Sequence, residues 1–448
     1  MLRGTNKRLF KSSSLRRKQF LWCFIFFLLL IGIVNVSIKY ENLKNELHQE
    51  NVSLELDDGI TDEARKYIEE LGLINPGENG EAVIIPETAS DEIKKLVNES
   101  FEANGFTAFI SNMVSLNRNI PDFRSDICKN KVYHKNLPKC SIMIPFHNED
   151  WMLLMRTVHS VLLRTPPELY VEILLVDDAS DKEWLQKPLE DYVKKIPKMK
   201  LIRSHRRLGI TNTRNLGAIN AIGPILVCLD CHVEVAPGWL EPLLDRFVDN
   251  KKLLVGPRLK SINSETMETT FNDNLPYEIG GVQWDLGFSW IPYNKIIGFT
   301  SRESFEPMKS APAMGPTRAV YKDFFLELGM HDPDFGTWGG EDVELSLKVW
   351  LCGGRVEIVP CSQTAHMYKA HKYKNASDKT YRWNTNRIAE VLLDHYKRFY
   401  YRATKNAPKE FGNVTERIEI KKRNQCKPFK WFLDNVYNIP MPDDIKDP

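Results

Sequence analysis

The chain has 448 residues, 42% of them hydrophobic and 27% charged, enough apolar material for one large core or two smaller ones. A formal net charge of only +2 excludes a chain built as a whole to bind nucleic acid. The basic residues are unevenly placed: Arg3, Lys7, Arg8, Lys11, Arg16, Arg17 and Lys18 precede Phe20 with no acidic residue among them.

Those charges flank an apolar run from Phe20 to Val34 that continues through Asn35, Val36 and Ser37 to Ile38. Residues 1–19 read as a cytoplasmic tail and 20–38 as a short transmembrane signal anchor. The basic flank keeps the N-terminus in the cytosol and sends the rest to the lumen, a single-pass type II topology. A cleaved signal peptide has the same charge order, but the run exceeds a usual signal core and no Ala-x-Ala-like site follows it. Sequons at Asn51, Asn98, Asn375 and Asn413 all fall on the luminal side. Cys128, Cys352, Cys361 and Cys426 sit near polar segments or turns, where bridges form in an oxidising lumen. Their connectivity is open at this point, and buried free thiols are the alternative.

Residues 39–100 are acidic and poor in aromatics, with a breaker cluster from Asn75 to Gly80, and read as a luminal stem. From Phe101 the composition becomes globular, giving a domain over 101–448. Ser141–Phe146, Val171–Val176, Lys200–Arg203 and Pro224–Leu229 read as buried strands. Trp151–Leu163, Trp184–Val193 and Asn212–Ile222 between them read as helices. This alternation predicts an α/β fold, a largely parallel sheet flanked by helices, with ligands at the carboxyl ends of its strands. Two acidic clusters, Asp177-Asp178 and Asp230-Cys231-His232, stand at such ends.

Asp230 and His232 are two apart, so in an extended segment both face one side and can touch one ion. A carboxylate with an imidazole suits a borderline divalent metal such as manganese. His366, after the strand-like Arg355–Val359, is a candidate third ligand, although a lone histidine is more often an ordinary core or surface residue. Asp178 at a strand end suits a ribose hydroxyl or base edge, or else caps a following helix. Arg206 and Arg207 before Gly209 suit phosphate oxygens, or form a solvated basic turn. In Trp338-Gly339-Gly340-Glu341-Asp342 the glycines admit a close ligand, the indole suits sugar CH groups and the carboxylates accept hydroxyls. Asp342 also serves as a cap for a helix over Val343–Trp350.

Several stretches together resemble the polypeptide N-acetylgalactosaminyltransferase family. They are Phe146-His147-Asn148-Glu149, Ile173 to Asp178, Leu229 to His232 with Trp239 to Leu244, Trp338 to Glu341, Cys352-Gly353-Gly354 and Cys426 to Trp431. Gly77 to Gly80 with Ile84-Ile85-Pro86 is also similar. The resemblance implies a GT-A nucleotide-sugar-binding domain, Rossmann-like with a mixed sheet. It implies retaining transfer of N-acetylgalactosamine from UDP-GalNAc to Ser or Thr of polypeptides, at the Golgi membrane, with Mn2+ as cofactor. Asp230, His232 and His366 match the metal ligands. His147, Asp178 and Arg207 match nucleotide contacts, and Trp338 and Glu341 match the catalytic contacts on the donor side. Gly315 and Lys369 fall at substrate-binding positions. The family pattern pairs Cys128 with Cys361 and Cys352 with Cys426.

The chain also departs from that pattern. Pro145 stands where a Thr is usual, Met314-Gly315-Pro316 where Ala-Gly-Gly is usual, and Gln283 replaces the Asp before Trp284. The loop Lys369–Lys374 is rewritten, and the family's C-terminal ricin-like lectin domain is expected to be absent. Three readings follow: an active transferase, a relative that binds metal, nucleotide or a protein partner without turnover, and a secretory scaffold.

Overall fold

A computed structural model describes residues 56–270, 278–297, 305–313, 315–370, 378–405 and 410–440. The expected tail, the anchor at 20–38, the sequons at Asn51 and Asn375, and Met314 lie outside the described residues. Among the described residues no helix is long and apolar enough to cross a membrane. The chain divides into two compact units, Met1–Leu56 and Asp57–Pro448, and the described residues lie almost wholly in the second.

The sheet begins with β1 (Cys140–Phe146), β2 (Tyr170–Asp177), β3 (Met199–Arg203) and β4 (Ile225–Leu229). Then come β5 (Val233–Val235), β6 (Leu253–Ile262) and β7 (Thr269–Thr270). A separate hairpin pairs β8 (Glu278–Val282) with β9 (Phe288–Pro292). The sheet is completed by β10 (Met308–Lys309), β11 (Thr317–Tyr321) and β12 (Arg355–Met367). Its order is β10-β12-β6-β11-β4-β1-β2-β3, with β5 on β12 and β7 on β6.

β3, β2, β1 and β4 are parallel, as expected. Helices Trp151–Arg164, Lys187–Lys195 and Ile210–Asn220 make the crossovers between them. β1 is buried along its whole length, which is why it reads as a continuous apolar run rather than an alternation. The rest of the sheet is mixed, as the family resemblance implies, rather than largely parallel as the alternation of elements predicts; β6 and β12 are still parallel. β11 runs antiparallel between β4 and β6 and sets Thr317 beside Leu229, so the chain just before β11 arrives at the carboxyl end of β4. β5 runs antiparallel to β12, which sets His366 opposite Val233.

Residues 57–100, expected as the later part of the 39–100 stem, are folded against the domain. Helices Asp62–Glu70 and Asp91–Asn104 start at Thr61 and Ser90, whose hydroxyls accept from Ala64 N and Ile93 N. Each opens with two acidic residues, which the helix dipole favours. Ala64, Leu71, Val83, Ile93, Phe106 and Met113 pack on Leu153, Met267, Ala365 and Met367. The sequence misleads here because a thin outer layer needs only one apolar face. Two buried arginines bolt this layer down: Arg118 pairs with Glu234 at 2.6 Å, and Arg156 donates to the carbonyls of Ser111 and Val114.

Two disulfides join Cys128 to Cys361 and Cys352 to Cys426, the pairing that the family resemblance implies. They close separations of 233 and 74 residues. Chain entropy alone assigns each about 4 to 5 kcal/mol. Beyond the second bridge, Phe429 and Phe432 enter the main core beside Trp284 and Phe399.

Two buried histidines away from the strand ends make stability depend on acid. His331 faces Glu344, and burial pushes its imidazole down to about 4. His159 lies between Asn117 and Tyr192, and burial, then Arg156, push it down to about 4 as well. Each folded value lies below the unfolded value of 6.5, so the unfolded chain binds more protons between these limits. Unfolding free energy is therefore expected to fall as pH drops from 6.5 towards 4. Urea titrations across that range should show the slope, and His331→Gln should flatten part of it.

Candidate metal centre

Asp230, Cys231 and His232 form the turn between β4 and β5. They were expected to extend β4, but the chain turns at once because Val233 begins the next strand. The geometry still gathers Asp230, His232 and His366, whose ligand atoms all lie within 4.8 Å of one another. His366 comes from inside β12 rather than from a loop after it. Its ring centroid is 4.9 Å from that of His232, a consequence of the β5–β12 register.

Both ring nitrogens of His366 are buried and lack a hydrogen-bond partner. Such orphaned imidazole atoms are costly unless something outside the protein uses them. Burial, with His232 adding to it, pushes the His366 imidazole down to about 3, so its lone pair is free at neutral pH. Asp230 is held below the usual carboxylate range: burial opposes this, but Arg214, His366 and His232 outweigh it. One carboxylate and two imidazoles fit a borderline divalent cation.

Arg214, on helix Ile210–Asn220, connects this triad to the glycine-tryptophan loop. Its guanidinium donates to Asp230 Oδ1 at 2.9 Å and to Glu341 Oε1 at 3.3 Å, and reaches the Gly315 carbonyl at 3.4 Å. Glu341 starts helix Glu341–Leu351 and also accepts from Gly339 N at 2.9 Å. Burial and neighbouring Asp342 push its carboxyl up. Asp342, read as a helix cap, instead pairs with buried Arg318. Gly315 lets that carboxylate pass, since a Cβ there would lie 2.4 Å from Asp342 Oδ2. Pro316, which stands where the family has Gly, contributes its carbonyl, which accepts from Asp230 N at 2.8 Å. Trp338 is 42% exposed, the accessible aromatic face of this group, with Tyr381 tilted beside it at 6.4 Å.

His147, Asp178 and Arg207 form a second group at the ends of β1 and β2. His147 Nδ1 donates to the Asp178 carbonyl at 2.8 Å. The Asp178 carboxylate is engaged by Arg207 and by Leu208 N and Gly209 N. Gly209, at φ 82°, packs on the Thr337 backbone, where a Cβ would lie 2.6 Å from Thr337 Cα. That close approach joins the phosphate-type turn to the Trp338 loop. Lys369, expected at the substrate, is turned to Glu149 instead, at 2.5 Å. Of the sequons, Asn98 and Asn413 are exposed.

Sequence reasoning gave no role to Arg214 or Glu149. The signal for Arg214 was a lone cation in a helix otherwise made of small, polar and apolar residues, Ile210 to Asn220. A cavity lined by Asp332, Glu344, Lys348, Arg387 and Lys421 shares no residue with this centre, and its charges are already paired.

Residues 141–327 match the model of glycosyl transferase family 2, and 299–373 match the N-terminal domain of galactosyltransferase. A crystal structure of GalNAc-T7 with UDP, GalNAc and Mn2+ superposes with a TM-score of 0.73 at 34% identity, covering 80% of this chain and 67% of that one. The chain belongs to the polypeptide N-acetylgalactosaminyltransferase family. Polypeptide N-acetylgalactosaminyltransferase 5 of Caenorhabditis elegans is 38% identical over 81% of this chain, and polypeptide N-acetylgalactosaminyltransferase 10 of Homo sapiens 40% over 76%. The chain spans 58% and 56% of their lengths. As a member of this family it has the mixed GT-A fold, with the candidate centre at the carboxyl end of β4.

Proposed function

We propose that this chain transfers N-acetylgalactosamine from UDP-GalNAc to Ser and Thr hydroxyls of polypeptides, with retention. The observation that carries the reading is the convergence of Asp230, His232 and His366, with Arg214 linking them to Glu341. Family membership supplies the reaction class.

Asp230, His232 and His366 would hold Mn2+. When bound, that ion supplies Lewis acidity against the charge that grows on the departing diphosphate. Arg214 keeps Asp230 and Glu341 in place by pairing with both. Glu341 offers its carboxylate to a sugar hydroxyl, and Trp338 offers its face to the sugar CH groups. Arg207 and the N-terminus of helix Ile210–Asn220 face the nucleotide side. The bond from the anomeric carbon to the diphosphate breaks as the bond to the acceptor oxygen forms. The acceptor proton leaves with the diphosphate, so no protein base is required, and attack from the face that the diphosphate leaves retains the configuration without a protein nucleophile. Exposed Phe288 and Trp290, edge to face at 5.3 Å on the β8–β9 hairpin, offer an apolar surface for the peptide. This hairpin is tied to the Trp338 loop through Tyr381, whose hydroxyl donates to the Leu286 carbonyl.

The proposed setting is the Golgi lumen, with Phe20–Ile38 as a type II anchor. The basic flank and the exposed sequons Asn98 and Asn413 support that topology. Incubating the full-length chain with UDP-GalNAc, Mn2+ and Ser/Thr-rich peptides tests the activity. α-Linked sugar on Ser or Thr, lost with chelator, is expected. UDP and Mn2+ binding with no transfer to any peptide would overturn the enzymatic reading.

A further inference from the structure

Glu149 ends the Phe146-His147-Asn148-Glu149 stretch that leaves β1, and it is buried. Its Oε2 lies 2.9 Å from His232 Nδ1, and its Oε1 lies 2.5 Å from Lys369 Nζ and 2.9 Å from Asp150 N. We propose that Glu149 is a positioning residue of the metal centre, acting through His232, and that Lys369 holds it in that role. The inference rests on the metal reading above and gives that centre its supporting layer.

An ionised carboxylate only accepts hydrogen bonds, so the proton between these groups belongs to His232 Nδ1. His232 is thereby held in one tautomer and one ring orientation, with its other nitrogen left for the cation. The Lys369 ammonium, 2.5 Å away, pairs with the Glu149 carboxylate on its other oxygen.

Glu149, Cys231 and His232 are close enough to form a metal cluster of their own. Lys369 argues against that use. Its ammonium occupies one carboxylate oxygen and would repel a cation at that point. The same pairing stops Glu149 from swinging round to become a fourth protein ligand. Lys369 is itself positioned from the N-terminal layer: its Nζ lies 5.4 Å from the Phe106 ring centroid, and Ala370 N donates to Gly105 O at 2.7 Å. Phe106, Lys369, Glu149 and His232 thus form a continuous chain from an outer helical layer to a metal ligand.

The test titrates Mn2+ into the full-length chain, following free Mn2+ by electron paramagnetic resonance, and records the visible spectrum of the Co2+ form. Glu149→Ala combined with Lys369→Met removes both charges together, so neither is left buried alone. Mn2+ affinity is expected to fall roughly 10- to 100-fold, with an altered Co2+ spectrum, and a cooperative metal-free melting curve shows that the variant is folded. Glu149→Gln serves as a second variant should the double variant fail to fold. It keeps an acceptor oxygen but not the charge, and about tenfold weaker Mn2+ binding is expected. Affinity within about twofold of wild type, with an unchanged Co2+ spectrum, would overturn the positioning role. A wild-type chain that takes up no Mn2+ would instead remove the metal reading, and the inference with it.

Discussion

Asp230→Ala is expected to lower transfer by roughly 1000-fold or more, about 4 kcal/mol of transition-state stabilisation. Asp230 is the anionic member of the triad, and without it two imidazoles alone would have to hold a dication. Calorimetry should show UDP binding that no longer strengthens when Mn2+ is added. The fold should persist, because Arg214 keeps Glu341 as a partner and the Asp230 main-chain N–H still donates to Pro316. A melting curve without metal checks that point. Retention of manganese-enhanced UDP binding by the variant would remove Asp230 from the centre.

Arg214→Met should damage both stability and activity. The guanidinium is buried against two carboxylates, and Asp230 and Glu341 hold its proton firmly despite the burial. Removing it strands the buried Glu341 carboxylate and the partly exposed Asp230 carboxylate beside it, at a cost of about 3 kcal/mol. Urea unfolding should report that loss. Adding Glu341→Gln removes one of the stranded charges and should recover part of the stability, while transfer stays low because the sugar-facing carboxylate is gone. If Arg214→Met alone unfolds at the wild-type urea concentration, the ion pairs do not carry the energy assigned to them.

How much of this was legible beforehand differs from element to element. The strands from Ser141 to Leu229 could be read because a strand covered on both faces must be apolar throughout, and their helices carry the helical period. Asp230 and His232 could be singled out because a charged pair directly after such a strand has few structural uses. The alternating pattern of Arg355–Val359 likewise pointed to a strand, but not to its continuation through His366 to Met367.

By itself, then, the sequence determined the parallel half of the sheet, the location of the site at its carboxyl edge and the residue types that suit a divalent cation. Those are local properties, set by burial pattern and by chemistry within a few residues. Only the tertiary structure decided which distant groups meet there. His366 reaches His232 because β12 and β5 pair antiparallel in one register, and Pro316 reaches Asp230 because β11 runs against β4. Arg214 meets Glu341 across 127 residues, and Lys369 meets Glu149 across 220. The packed layer before Phe106 escaped notice for the same reason: its few apolar residues become a core face only when Met267, Ala365 and Met367 are brought beneath them. Pairings at such separations depend on strand order and register, and these are properties of the whole sheet rather than of any stretch of chain.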